Sequence, residues 1–148
     1  MDATLDSGAG ASVMNPRHAP GYKVESSPGS IAGQRYVGPG GERIPNEGQL
    51  KVGIQLMDAK DKRACFQAAQ VRKTLLAVSG VCDKEQFCFF DNDGSWICDR
   101  NSPEAIAIRK LINAMKNKIG VERKGGIYVL PMWLKPAPST EPVFHRQE

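Results

Sequence analysis

The run Gln49-Leu50-Lys51-Val52-Gly53-Ile54-Gln55-Leu56 places Leu50, Val52, Ile54 and Leu56 at alternate positions, and it constrains the fold more than any other stretch of the chain. A period of two puts these four side chains on one face of a strand and Gln49, Lys51 and Gln55 on the other, so the strand is half-buried over a core. Asp58 to Lys62 is a polar turn, and Arg63 to Val71 reads most simply as the antiparallel partner. Upstream, Gln34–Val37 and Glu42–Ile44 flank Gly38-Pro39-Gly40-Gly41, a turn that needs at least one glycine at positive φ, which makes a hairpin. A second turn at Pro45-Asn46-Glu47-Gly48 leads into the alternating strand. Residues 15–33 hold three prolines and three glycines and read as loop around a short strand candidate, Tyr22-Lys23-Val24. With 15 glycines and 10 prolines in 148 residues, the punctuation suits many short elements and a mainly β class.

The second half repeats the theme with one helix. Thr74 to Val78 is continuously apolar, which suits a strand buried on both faces or the start of a short helix. Gln86–Phe90 and Ser95–Cys98 flank Asp91-Asn92-Asp93-Gly94, a hairpin signature. Ser102-Pro103-Glu104 carries the cap, first-turn proline and early acid of a helix start, with Gly120 as the stop. Ile108, Leu111, Ile112, Met115 and Ile119 follow helical spacing and predict one docked stripe. The opposite side, with Arg109, Lys110, Lys116 and Lys118, then Arg123 and Lys124, reads as a solvated basic face. Ile127 to Leu134 predicts a last strand anchored by Trp133, and the Pro-rich tail from residue 135 reads as loose.

Composition removes several function classes. A formal charge of +4, mixed evenly with acids and without interleaved aromatics, does not point to nucleic acid. No run approaches the roughly 18 apolar residues of a membrane helix, and the start lacks a secretion pattern, so the reading is intracellular, cytoplasmic, with no membrane. Cys65, Cys82, Cys88 and Cys98 have no Cys-x-x-Cys spacing for zinc and are expected to be free, mostly buried thiols. The acidic turn at residues 91–94 fails as a calcium loop, because Phe89 stands where the first acid belongs, so neither metal nor cofactor is expected. His18 and His145 lie in loop and tail, and no Ser or Cys sits in a recognisable nucleophile setting.

Chemistry concentrates in Thr4-Leu5-Asp6-Ser7-Gly8-Ala9-Gly10-Ala11-Ser12-Val13-Met14, where a carboxylate follows an apolar residue and small neighbours crowd behind it. Asp6 suits a hydrogen-bonded acid that must approach another group closely, with Gly8 supplying an amide. An Asp-Ser-Gly turn closing a strand is the plain alternative. Leu5-Asp6-Ser7-Gly8-Ala9, then Leu75-Leu76-Ala77-Val78-Ser79 and Val81-Cys82-Asp83-Lys84, then Phe89-Phe90-Asp91-Asn92-Asp93-Gly94 and Gly125-Gly126-Ile127-Tyr128-Val129-Leu130, resemble in order and spacing the retropepsin-like aspartic proteases of copia-type retroelement polyproteins.

That resemblance implies a retropepsin-like acid-protease β-barrel, one half-site per chain, with a flap hairpin and one C-terminal helix. It divides the chain into a protease core over residues 1–82, an extension over 83–134 and a tail over 135–148. It implies an aspartic endopeptidase that processes a polyprotein as a homodimer, with one catalytic Asp6 per chain. Ser7 would bond across the dimer, Gly8 would hold the carboxylate, and Ala9 would keep the loop compact. Ala77 takes the family's small-residue position beside the catalytic loop, and Ala9 and Ala77 would both contact the substrate. The flap tip, with its substrate contacts, falls either at Gly38, Gly40 and Gly41 or at Asn46 to Gly48. Only five residues precede Asp6, where the family has a hairpin and a strand. The expectation is a fragment of a longer polyprotein. A non-catalytic retropepsin-like interaction module is the competing class.

Overall fold

A computed structural model describes residues 1–138. Its strands are β1 (Ala3–Asp6), β2 (Val13–Met14), β3 (Arg35–Val37), β4 (Arg43–Pro45), β5 (Gly48–Gln55), β6 (Asp61–Ala68), β7 (Thr74–Ala77), β8 (Gln86–Phe89), β9 (Trp96–Asp99), β10 (Glu122–Lys124) and β11 (Ile127–Val129). Three α-helices accompany them: α1 (Pro28–Ile31), α2 (Val78–Cys82) and α3 (Pro103–Ala114). The fold is mainly β. One five-stranded mixed sheet runs in the order β1-β7-β2-β6-β5, and β3-β4, β8-β9 and β10-β11 are separate two-stranded ribbons. The sheet does not close into a barrel among the described residues.

The alternating strand sets the core. In β5, Leu50 is fully buried and Val52 nearly so, and antiparallel pairing sets Leu50 opposite Phe66 of β6. Met14, Ala19, Leu50, Val52, Phe66 and Ala68 form one cluster, with Val24, Ile54, Ala64 and Leu76 packed on it. Burying a side chain such as Leu50 contributes roughly 1.5–3 kcal/mol. The period ends early, because Leu56 and Met57 are exposed at the turn before β6.

The connection between β2 and β3 differs from its reading as loop with a strand. Tyr22 to Val24 form no strand, and the only bridge there is Glu25 to Gln49. Instead Ser27 caps α1: its hydroxyl accepts from Ser30 N–H while Ser30 Oγ accepts from Ser27 N–H, with Pro28 in the first turn. The apolar run at residues 74–78 resolves as both of its options in succession, β7 and then α2.

The long helix is shorter and less packed than its spacing predicts. α3 ends at Ala114, and only Ala105 is buried. Ile108, Leu111, Ile112, Met115 and Ile119 are exposed, so the apolar stripe is not docked on the sheet. Helical period identifies an amphipathic face but carries no information about what covers it. The last strand stops at Val129, and Trp133, expected as an anchor, is 86% exposed. It is preceded by a strand the sequence did not suggest, β10, whose residues are all polar and exposed. The thiols are free as expected but not mostly buried, Cys65 being exposed and the other three half-buried. The end of the Pro-rich tail, from residue 139, and His145 lie outside the described residues.

Candidate active site

Asp6 is the last residue of β1, and parallel pairing with β7 sets it opposite Ala77. The two strands deliver Asp6 and Ala77 side by side, and the chain turns away through Ser7 before returning as β2. Gly8 N–H donates to Asp6 Oδ1 at 2.8 Å, closing a turn on its own carboxylate. Gly8 is not among the glycines at positive φ. A Cβ on it would sit 3.3 Å from Asp6 Oδ1, so glycine serves close approach here rather than backbone freedom. Asp6 and Ala9 are half-buried, and Ser7 and Gly8 are exposed, which leaves the carboxylate at a surface.

Two supports of this loop escaped the sequence reading. Ser12 Oγ accepts from the N–H of buried Ala77 at 3.0 Å, tying the far end of the loop back to β7. A hydroxyl in a run of small residues was its only signal. From the other side, Tyr128 N–H of β11 donates to Ser7 O at 3.0 Å. The Gly125-Gly126 turn of the β10–β11 ribbon lies on Gly10, since a Cβ at Gly126 would meet Gly10 O at 3.2 Å. Arg123 in β10 donates to both oxygens of Asp83, at 2.8 and 3.0 Å, just beyond α2. This fork holds the Asp83 carboxyl below the usual carboxylate range and raises the Arg123 guanidinium. The Tyr128 phenol is raised by its hydrogen bond with Cys82 and then by partial burial. Burial, with Cys82 and Cys98 nearby, pushes the Cys88 thiol up to about 11.

The structure separates the two candidate flap tips. Gly38 N–H donates to Glu42 O at 2.8 Å and Gly41 N–H to Gly38 O at 3.0 Å, and Gly41 has φ +84°, so residues 38–41 form the free end of the β3–β4 ribbon. The Glu42 carboxylate folds beneath it, accepting from Gly40 N–H at 2.9 Å. Asn46 and Gly48, in contrast, are buried. Gly48 has φ +139°, and a side chain there would collide with the Glu25 carbonyl. Gly48 therefore sits in the sheet and not at a hairpin tip.

Asp6, Ser7, Gly8, Ala9 and Ala77 thus come together, Gly38, Gly40 and Gly41 share one tip, and Gly48 stands apart from both. A shallow cavity of about 290 Å³ lined by Asp2, His18, Arg72, Lys73 and Thr74 does not include Asp6. Among the described residues no group of three His, Cys, Asp or Glu side chains is placed to hold a metal. Chemically, one partly exposed carboxylate with a donor fixed on one oxygen can exchange a proton with a water or a second acid, and this loop holds a single acid. No protein-family model, no curated protein and no solved structure matches this chain.

Proposed function

We propose that the chain is one half of a retropepsin-like aspartic endopeptidase, acting as a homodimer on peptide segments of a retroelement polyprotein in the cytoplasm. The observation that supports this reading best is the seating of the Asp6 loop. Its carboxylate ends β1 in register with Ala77 of β7, and Gly8 N–H holds one oxygen. Those are the segments on which the sequence resemblance rests.

Peptide hydrolysis by carboxylates needs two of them sharing a proton. One takes a proton from a water whose oxygen attacks the scissile carbonyl carbon, and the other protonates the carbonyl oxygen. Collapse of the resulting diol returns a proton to the leaving nitrogen. With one Asp6 per chain, the second carboxylate comes from a twofold-related copy. The β3–β4 ribbon, with its tip at Gly38 to Gly41, is the element suited to close over the substrate.

A second reading, a retropepsin-like interaction module without catalysis, is favoured by one observation, the open sheet of the described residues. Peptide cleavage measured against protein concentration, with sedimentation in parallel on wild type and Asp6→Asn, separates the two. The endopeptidase reading expects activity that follows the dimer fraction and disappears in Asp6→Asn while the dimer persists. Cleavage that survives Asp6→Asn, or that stays proportional to total protein far below the dimer dissociation constant, overturns it.

A further inference from the structure

The β10–β11 ribbon touches the Asp6 loop at two places and the end of α2 at a third. Its backbone bonds Ser7, with Tyr128 N–H on Ser7 O at 3.0 Å. Its turn rests on Gly10, with Gly10 O 3.2 Å from where a Gly126 Cβ would be and Gly125 O 3.5 Å from where a Gly10 Cβ would be. Its first strand is fastened to the end of α2 by the two-pronged Arg123–Asp83 pair. β10 itself buries no residue, so apolar packing of that strand does not hold it in place. Between α3 and β10, residues 115–121 are all exposed and belong to no strand or helix. The ribbon is thus an appendage on an unpacked tether, fixed at one end by a charged fork and at the other by two glycines at positive φ, Gly125 at +58° and Gly126 at +84°.

We propose that this ribbon is an intramolecular brace that sets the geometry of the Asp6 loop, with Gly126 and Arg123 as positioning residues. It rests on the endopeptidase reading only for its catalytic consequence. The loop leaves β1 and returns as β2 across six residues dominated by glycine and alanine, whose side chains offer little packing of their own. One end is tied by Ser12 to Ala77. Without the ribbon, Ser7 O loses its donor and Gly10 loses the backbone lying on it. The turn at Gly8, which holds the carboxylate, lies between these two points. The fork fits this role because a bidentate guanidinium fixes orientation as well as distance.

The test is amide hydrogen exchange on the full chain, which needs no activity, followed by peptide kinetics. Gly126→Ala places a Cβ against Gly10 O at a left-handed backbone position and should speed exchange at the Tyr128 and Gly8 amides roughly tenfold. Arg123→Lys removes the fork and keeps the charge, and should speed the same two amides roughly threefold. Gly125→Asn is the control, because nothing lies within 4 Å of a Cβ there and asparagine tolerates that backbone, so it should change neither. The Leu50 and Phe66 amides should stay as in wild type throughout. Faster exchange at Tyr128 with Gly8 unchanged overturns the brace, as does a parallel rise at Leu50 and Phe66. Should Gly126→Ala fail to fold, Arg123→Lys decides on the same amides. In cleavage, Arg123→Lys should lower kcat with KM unchanged; a wild type that cleaves nothing refutes the endopeptidase reading, and exchange still decides the brace.

Discussion

Replacing Asn46 with alanine should be among the most damaging single changes in this chain. Asn46 Oδ1 accepts from Gly48 N–H at 2.9 Å. Its Nδ2 lies within hydrogen-bond distance of Gln67 Oε1 at 3.0 Å, Gln34 Oε1 at 3.2 Å and the Tyr36 hydroxyl at 3.2 Å. Two amide protons serve three acceptors, so one contact is shared. Truncation leaves the buried Gly48 N–H without a partner, which costs roughly 1–3 kcal/mol by itself. Gln34 is exposed and can rehydrate, while half-buried Gln67 recovers only in part. The sum is about 2–4 kcal/mol, and at the few degrees per kcal/mol typical of a domain this size the melting temperature should fall by roughly 5–15 °C. Thermal unfolding followed by circular dichroism measures it. Amide exchange should also quicken in β3, because Tyr36 and Gln34 lose the side chain that ties the ribbon to the sheet. A variant that melts within about 2 °C of wild type would refute the reasoning, since an orphaned buried donor cannot be that cheap.

Leu111→Asp should move the melting temperature little, within about 0.5 kcal/mol, because Leu111 is 70% exposed and the new charge stays in water; a loss of several kcal/mol would mean that α3 is packed in solution. Cys88, with its thiol pushed up to about 11, should be alkylated by iodoacetamide at pH 8 at least tenfold more slowly than exposed Cys65, read by peptide mass spectrometry. Asp83 is held below its ordinary 3.8 by Arg123, so its pair steadies the native state at pH above that value and is lost as pH falls through the lowered native value. Exchange at the Tyr128 amide, corrected for intrinsic rate, should be flat from pH 6 to about 4 and rise below that in wild type, and the rise should be absent in Asp83→Asn.

The parts of the fold that the sequence made legible are those in which local pattern and tertiary role agree. Alternation in β5 named the buried residues Leu50 and Val52, and the glycine-rich turns located the β3–β4 and β8–β9 ribbons. The resemblance implied only that Ala77 lies beside the Asp6 loop; the parallel pairing of β1 with β7 was not legible, since nothing local in Leu5 or Leu76 specifies a parallel partner about seventy residues away. What was missed depends on contacts. The stripe of α3 has the period of a docked helix, yet Ala105 alone is buried, because docking is decided by the facing surface and not by the helix. Glu122, Arg123 and Lys124 carry no strand pattern, and β10 exists because Gly125 and Gly126 fold it back on Ile127 to Val129. Asn46 looked like a turn residue and is a buried junction, and Ser12 looked like filler and holds Ala77.

Gly8 separates stability from activity more cleanly than any other position in the loop. Its φ is not in the positive region, so alanine can adopt the native backbone without the left-handed penalty. Alanine also narrows the unfolded ensemble, and where no strain arises that exchange stabilises by about 0.4–1 kcal/mol. The new Cβ, however, would lie 3.3 Å from Asp6 Oδ1, tighter than ordinary contact by a few tenths of an ångström. Backbone on the β1 side is fixed by pairing to β7, so the carboxylate is the part free to rotate away. Rotation lengthens the 2.8 Å bond from Gly8 N–H and turns Asp6 from the direction in which a second carboxylate must meet it. Misplacement approaching 1 Å can lower turnover on the order of a hundredfold. Gly8→Ala should therefore melt at or slightly above the wild-type temperature while losing ten- to a hundredfold in kcat. Calorimetry and peptide cleavage on the same preparation test both halves. Full activity in a folded Gly8→Ala would show that the orientation of the Asp6 carboxylate does not govern the reaction, and a large drop in melting temperature would show that alanine cannot take up the native backbone at this position.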